Sequence, residues 1–250
     1  MSPRAKGKAL SFRGVDYIDR SEHSITKRLG QMRDWQVKCV CGGTHLTCNG
    51  GWMRDIENAA KPVLKPLILG DNIRLTPPDH LQIATWAVLK AMVAEYDEQS
   101  AVTTHYKQRQ YMFNHHRPPL KNWAVWIGHF ERDKWIPEWV SRPFRVLFDK
   151  VAIKRASRET AHFNSNSSTQ IVGKLLIHVV HVPHPQFIER WRLSTPSGAP
   201  LFRIWPPITT SFPWPHEALT DRDADHVCDV LARWVKDVGS KSKAANSARA

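Results

Sequence analysis

From Thr76 to about Glu95 or Gln99 the chain spells a helix with almost no polar side. Thr76 supplies a capping hydroxyl, Pro77 takes the first helical position and Asp79 sits in the first turn. Leu81, Ile83, Ala84, Trp86, Ala87, Val88, Leu89, Ala91, Met92 and Val93 then cover nearly the whole circumference. A helix apolar all round has to be enclosed, so the remaining elements must pack around it. Lys90 and Glu95 within it read as snorkelling or paired side chains.

The enclosing material is β-rich. Trp123 to Phe130 reads as a strand, and Ile171 to Val182 as a long, almost wholly apolar one that belongs in mid-sheet. Phe187 to Leu193 and Leu201 to Trp205 read as two more strands, and the serine-rich interval from Ala161 to Gln170 as a loop. Asp221 to Val235 closes this part as an amphipathic helix. It turns Val227, Val230, Leu231 and Trp234 inward and carries Cys228 as a packed thiol. The expected class is α+β, with a helix-plus-antiparallel-sheet body over 62–235 and a disordered basic tail over 236–250.

Charge narrows the partners. Among 250 residues, 36 Lys and Arg oppose 23 Asp and Glu, a net +13 that favours a polyanion, nucleic acid before membrane. Eleven tryptophans and 42% apolar residues indicate a folded chain. No apolar run reaches the roughly 20 residues of a membrane span, and the basic start from Met1 to Lys8 lacks the apolar stretch of a signal peptide. Four cysteines, three of them clustered, suit metal binding or reduced thiols better than a disulfide framework. A cytoplasmic protein without membrane contact is the expectation.

The remaining segments carry the chemistry. Residues 1–20 form a basic arm with a short strand expected at Val15 to Ile18. Ile25 to Leu29 suggests one or two helical turns. Trp35 to Cys41 alternates with period 2, and Gly42-Gly43 turns the chain back. Asn49 caps a helix from about Trp52 to Ala60, stopped by Pro62, and Lys61 to Gly70 reads as a proline-punctuated linker. Cys39, Cys41, His45 and Cys48 put four soft or borderline ligands within ten residues, chemically suited to tetrahedral zinc. Small buried thiols beside an ordinary loop histidine would read the same way. His105 to Pro119 interleaves basic and aromatic residues, as a base-stacking strand or a helix with a solvated face would.

The order Glu22-His23, a cysteine-bearing strand, then Cys48-Asn49 opening a helix resembles the HNH endonuclease superfamily and its ββα-metal finger. Cys48-Asn49-Gly50-Gly51-Trp52-Met53-Arg54-Asp55-Ile56-Glu57, with Lys61-Pro62 and Ala84-Thr85-Trp86-Ala87 after it, is similar to a bacterial and phage group carrying a CNNGWM-type segment. The resemblance implies a small N-terminal zinc or metal finger over 21–61, with His23 as general base. Glu22 and Asn49 would hold a catalytic Mg²⁺ or Mn²⁺ on a DNA phosphate, and the cysteines a bracing Zn²⁺. The chain departs from that pattern in three ways. Residues 1–22 contain no cysteine, Ser24 to Thr47 contain no asparagine, and Cys41 and Cys48 are spread apart around His45. The implied function is therefore a metal-dependent DNA endonuclease. The alternative is a non-catalytic, zinc-braced nucleic-acid-binding protein.

Overall fold

The computed structural model describes residues 9–15, 22–28, 48–95, 102–131, 138–144, 146, 163–183, 185–190 and 192–229. Over these the protein is α+β, with helices packed on antiparallel sheets. A hairpin of β1 (Ala9–Val15) and β2 (Glu22–Arg28) comes first, pairing Ala9 with Arg28 and Val15 with Glu22. One expectation changes here: residues 25–28 are extended instead of helical, while Asp16, Tyr17 and Ile18 of the strand expected from Val15 lie outside the described residues. Thr26 and Ile25 are β-branched and lose rotamer freedom in a helix, so a partner strand readily outcompetes one helical turn.

After a wide helical turn over Cys48–Trp52, α1 runs from Met53 to Leu69, straight through Pro62 and Pro66. The expected stop at Pro62 and the linker after it do not occur. An interior proline costs about 3 kcal/mol. Burying Ile56, Val63, Leu64 and Leu67 on one face returns roughly 1.5–3 kcal/mol each, and Pro62 itself stays exposed. Burial therefore wins. Gly70, at φ 79°, ends the helix with its amide bonded to Leu67 O and that of Asp71 to Pro66 O, a geometry a β-carbon would oppose.

Helix α2 (Pro77–Ala94) begins at the expected cap, with Asp79 Oδ2 accepting from Thr76 N at 2.8 Å and Thr76 Oγ1 at 2.6 Å. It is the buried centre of the molecule, packed on α1. A short ribbon, β3 (Ile73–Leu75) with β9 (Phe212–Trp214), flanks its start. There His80 stacks on Phe212 at 4.9 Å, Phe212 on Phe202 at 4.3 Å, and His129 Nδ1 meets the carbonyl of His216 at 2.8 Å.

The main sheet has five strands: β4 (Trp123–His129), β5 (Glu138–Phe144), β6 (Ser165–Val172), β7 (Leu175–His181) and β8 (Phe202–Trp205). Their order is β5-β6-β7-β4-β8, every pair antiparallel. The period of 2 divides it into two faces. Trp123, Val125, Ile127, Leu175, Ile177 and Val179 meet α1 and α2. Ala124, Trp126, Val180, Ile171 and Leu176 face the other way, under α4 (Pro185–Arg190) and a helical run α5 (221–229).

Two further expectations change here. The long apolar strand is a hairpin, because Val172 pairs with Leu175 across Gly173-Lys174 and Gly173, at φ 56°, takes the left-handed corner. The serine-rich loop is the strand β6, buried from Ser165 to Thr169. Thr169, Ser168 and Asn166 find partners across the sheet. Thr169 Oγ1 meets His178 Nδ1 at 2.8 Å, Trp139 Nε1 donates to Ser168 Oγ at 2.7 Å, and Ser141 Oγ donates to Asn166 Oδ1 at 3.1 Å. Satisfied hydroxyls carry little of the penalty that makes such a run look like a loop.

The expected strand from Phe187 to Leu193 is likewise α4, which Pro185 opens and Ile188 anchors. A second Thr-Asp cap, Thr220 with Asp223, opens α5. Ala224 and Val227 point inward, and burial pushes the Cys228 thiol up to about 11, as suits a packed cysteine. Among the described residues no helix is long and apolar enough to cross a membrane.

Candidate functional site

Of the residues singled out by sequence, those that are described sit on two elements. Glu22 and His23 take the first two positions of β2, paired across the hairpin with Val15 and Gly14. Cys48 and Asn49 open the wide turn into α1. Cys39, Cys41 and His45 lie outside the described residues, as does the strand expected from Trp35 to Cys41. Among the described residues no three His, Cys, Asp or Glu side chains are grouped to hold a metal ion.

The turn that carries Cys48 and Asn49 is tied to another part of the molecule through Trp52. Its ring stacks on His116 at 5.7 Å, the planes 14° apart, and meets Phe113 edge-to-face at 5.6 Å. Both partners belong to the basic and aromatic segment, which folds as α3 (Tyr106–His115) and so takes the helical of its two expected forms. His105 caps it by accepting from the Lys107 amide at 3.2 Å, and His116, at φ 48°, ends it. Two stretches some fifty residues apart thus share one surface, with Trp52 between them.

One side of α3 is fastened to the body. Met112 is buried, Gln108 Oε1 accepts from Trp123 Nε1 at 3.3 Å, and Arg109 reaches Glu95 at 3.3 Å. Residues 108, 109 and 112 recur at helical spacing and form that side. The opposite side carries exposed Tyr106, Lys107, Gln110 and Asn114, with Phe113 exposed at its edge beside Trp52.

Glu95 is the keystone of the attachment. Its carboxylate, 1% exposed, accepts from Thr103 N and Oγ1, from Thr104 N and Oγ1, and from Arg109, with Asn166 Nδ2 at 3.5 Å. A carboxylate has about four lone-pair sites, so these donors saturate it. Thr103 Oγ1 also approaches His181 Nδ1 at 3.5 Å, and that imidazole tilts over Trp123 at 4.6 Å. Burial, with Arg109 adding to it, lowers His181 to about 3; burial alone lowers His178 to about 3. Both stay neutral near pH 7 and shuttle no proton there. The polar interior of the body therefore anchors α3.

Sequence reasoning anticipated Glu95 as a paired side chain but missed Trp52, Gln108, Asn166 and His181. One signal pointed to the α3 surface: from Ala101 to Phe130 there is no Asp or Glu, while Lys107, Arg109, Arg117 and Lys121 supply charge. Comparison with protein-family models, with curated proteins and with solved structures finds no match to this chain.

Proposed function

We propose that this protein is an HNH-like endonuclease that hydrolyses DNA phosphodiester bonds with the help of a divalent metal. The observation that carries the reading is the chain order of a β-hairpin bearing Glu22-His23 followed by a helix opened by Cys48-Asn49, whose turn meets the carboxylate-free segment of α3 through Trp52. That order of strand, strand and helix matches a ββα finger, and the neighbouring cations suit a phosphate backbone.

His23 takes the proton from the attacking water, a task for which the ordinary imidazole range near 6.5 is suited. Glu22 and the amide oxygen of Asn49 are hard oxygen donors that fit a divalent cation. Such a cation, when bound, stabilises the charge that develops on the phosphate and the leaving oxygen. Cys39, Cys41, His45 and Cys48 form a thiolate and imidazole set that fits a structural zinc. The absence of an asparagine from Ser24 to Thr47 and of a first cysteine pair supports the second reading, a zinc-braced binding protein that does not cut.

Supercoiled plasmid incubated with Mg²⁺ or Mn²⁺ separates the two. Nicking by wild type that falls at least about 100-fold in His23→Ala supports the endonuclease. DNA retarded on a gel but never cut, whatever the divalent metal, leaves the binding reading. Metal analysis addresses the brace independently. Well under one equivalent of zinc, unchanged in Cys39→Ser and Cys48→Ser, removes it from either account.

A further inference from the structure

We infer that the outer side of α3 is a docking surface for single-stranded DNA, a strip of stacking rings and cations that leads to the turn of Cys48 and Asn49. Tyr106 and Phe113 are 62% and 48% exposed although both are large aromatic residues, and seven positions apart they lie along the same line of the helix. That line continues through Trp52, on the edge of Phe113, to His116 stacked against it. The outward rings do not seat the helix: Met112 is the buried residue of α3 and polar bonds from Gln108 and Arg109 hold it down, while Phe113 lies against Trp52 and Tyr106 against His105.

The occupant follows from charge and from shape. No carboxylate lies in the sequence from Ala101 to Phe130, so a polyanion meets no repulsion along this segment. Lys107, Arg117 and Lys121 are exposed and form no ion pair among the described residues. Exposed rings add affinity only where base faces are free, because a duplex keeps its bases stacked on one another. Seven helical residues span roughly 10 Å, about three nucleotides at 3.4 Å along a stacked strand. Cation and ring together select an unpaired strand over a duplex.

The inference deepens the endonuclease reading by naming the form of DNA, yet its test needs no cutting. Fluorescence anisotropy without divalent metal would compare a labelled oligothymidylate with a duplex of equal length. Wild type is expected to bind the single strand more tightly. Tyr106→Ala should weaken that binding about tenfold or more, with Tyr106→Trp restoring it. Lys107→Ala should lower the slope of log affinity against log salt by about one. An unchanged melting temperature in each variant excludes unfolding as the cause.

Equal affinity for duplex, or Tyr106→Ala and Lys107→Ala that both bind as wild type, overturns the inference. Tighter binding to the same sequence as RNA overturns the assignment to DNA. The two readings fail separately. A protein that never cuts but loses single-strand binding with Tyr106→Ala keeps this surface and loses the nuclease. One that cuts through His23 but ignores Tyr106→Ala does the reverse.

Discussion

Helices α2 and α3 sit on the same body and are held to it by different physics. Buried hydrocarbon holds α2 on nearly every side: Ile83, Ala84, Val88 and Leu89 are sealed between α1 and the sheet. Only Met112 among the residues of α3 is buried, and the helix is fixed by Arg109 to Glu95, Gln108 to Trp123 and the Trp52 contacts at its end. Apolar enclosure leaves a helix little free surface. Polar pinning along one line leaves the rest of the circumference to solvent or a partner, and that is where the exposed rings and cations stand.

Substitutions that remove one kind of support and spare the other test this contrast. Glu95→Ala should be the most damaging, since it removes the buried acceptor that Thr103, Thr104 and Arg109 share. A loss of about 3–5 kcal/mol in urea unfolding is expected, with faster amide exchange concentrated in α3. A loss below about 1 kcal/mol would show that the carboxylate does not anchor the helix. Ile83→Ala, fully buried in α2, should cost about 2–5 kcal/mol through transfer and cavity terms. Its exchange should rise throughout the body, without preference for α3.

Acid probes the polar interior as a whole. His178 and His181 titrate near 3 in the fold against about 6.5 when unfolded, so between those values the unfolded chain binds more protons. Stability should be independent of these two groups above about pH 6.5. Below it, stability should fall by up to roughly 1.4 kcal/mol per pH unit for each. Urea midpoints from pH 7 to pH 4 measure this, and a flat profile would contradict neutral burial.

Smaller effects are expected at single pins. Gln108→Ala leaves the Trp123 indole without its acceptor and should cost about 1 kcal/mol. Lys90→Ala breaks the pair with Glu57 that joins α1 to α2. Both side chains are partly exposed, so less than about 1 kcal/mol is expected, falling with added salt.

Legibility from sequence followed the same division. The start of α2 was readable because Thr76, Pro77 and Asp79 act within four residues, and its burial because apolar residues ring it. Strand β4 was readable for similar reasons. Strand β6 was not, because Ser165 to Thr169 pass as core only once Trp139, Ser141 and His178 arrive opposite them. Nor was the survival of α1 beyond Pro62, which rests on packing against α2. Glu22, His23, Cys48 and Asn49 were singled out by their order in the chain, and the structure places the first pair on β2 and the second at the turn into α1. The link through Trp52 to Phe113 and His116 has no local signature at all.

By itself the sequence determined what is local: capping, turn positions, apolar periodicity and the surplus of positive charge. These depend on neighbours within a few residues, where chain connectivity already fixes who meets whom. Tertiary structure decided which polar groups are buried with partners, which prolines a helix tolerates and which rings are left outside. Each of those is set by the free energy of contacts between residues far apart in the chain, and only the assembled fold brings them together.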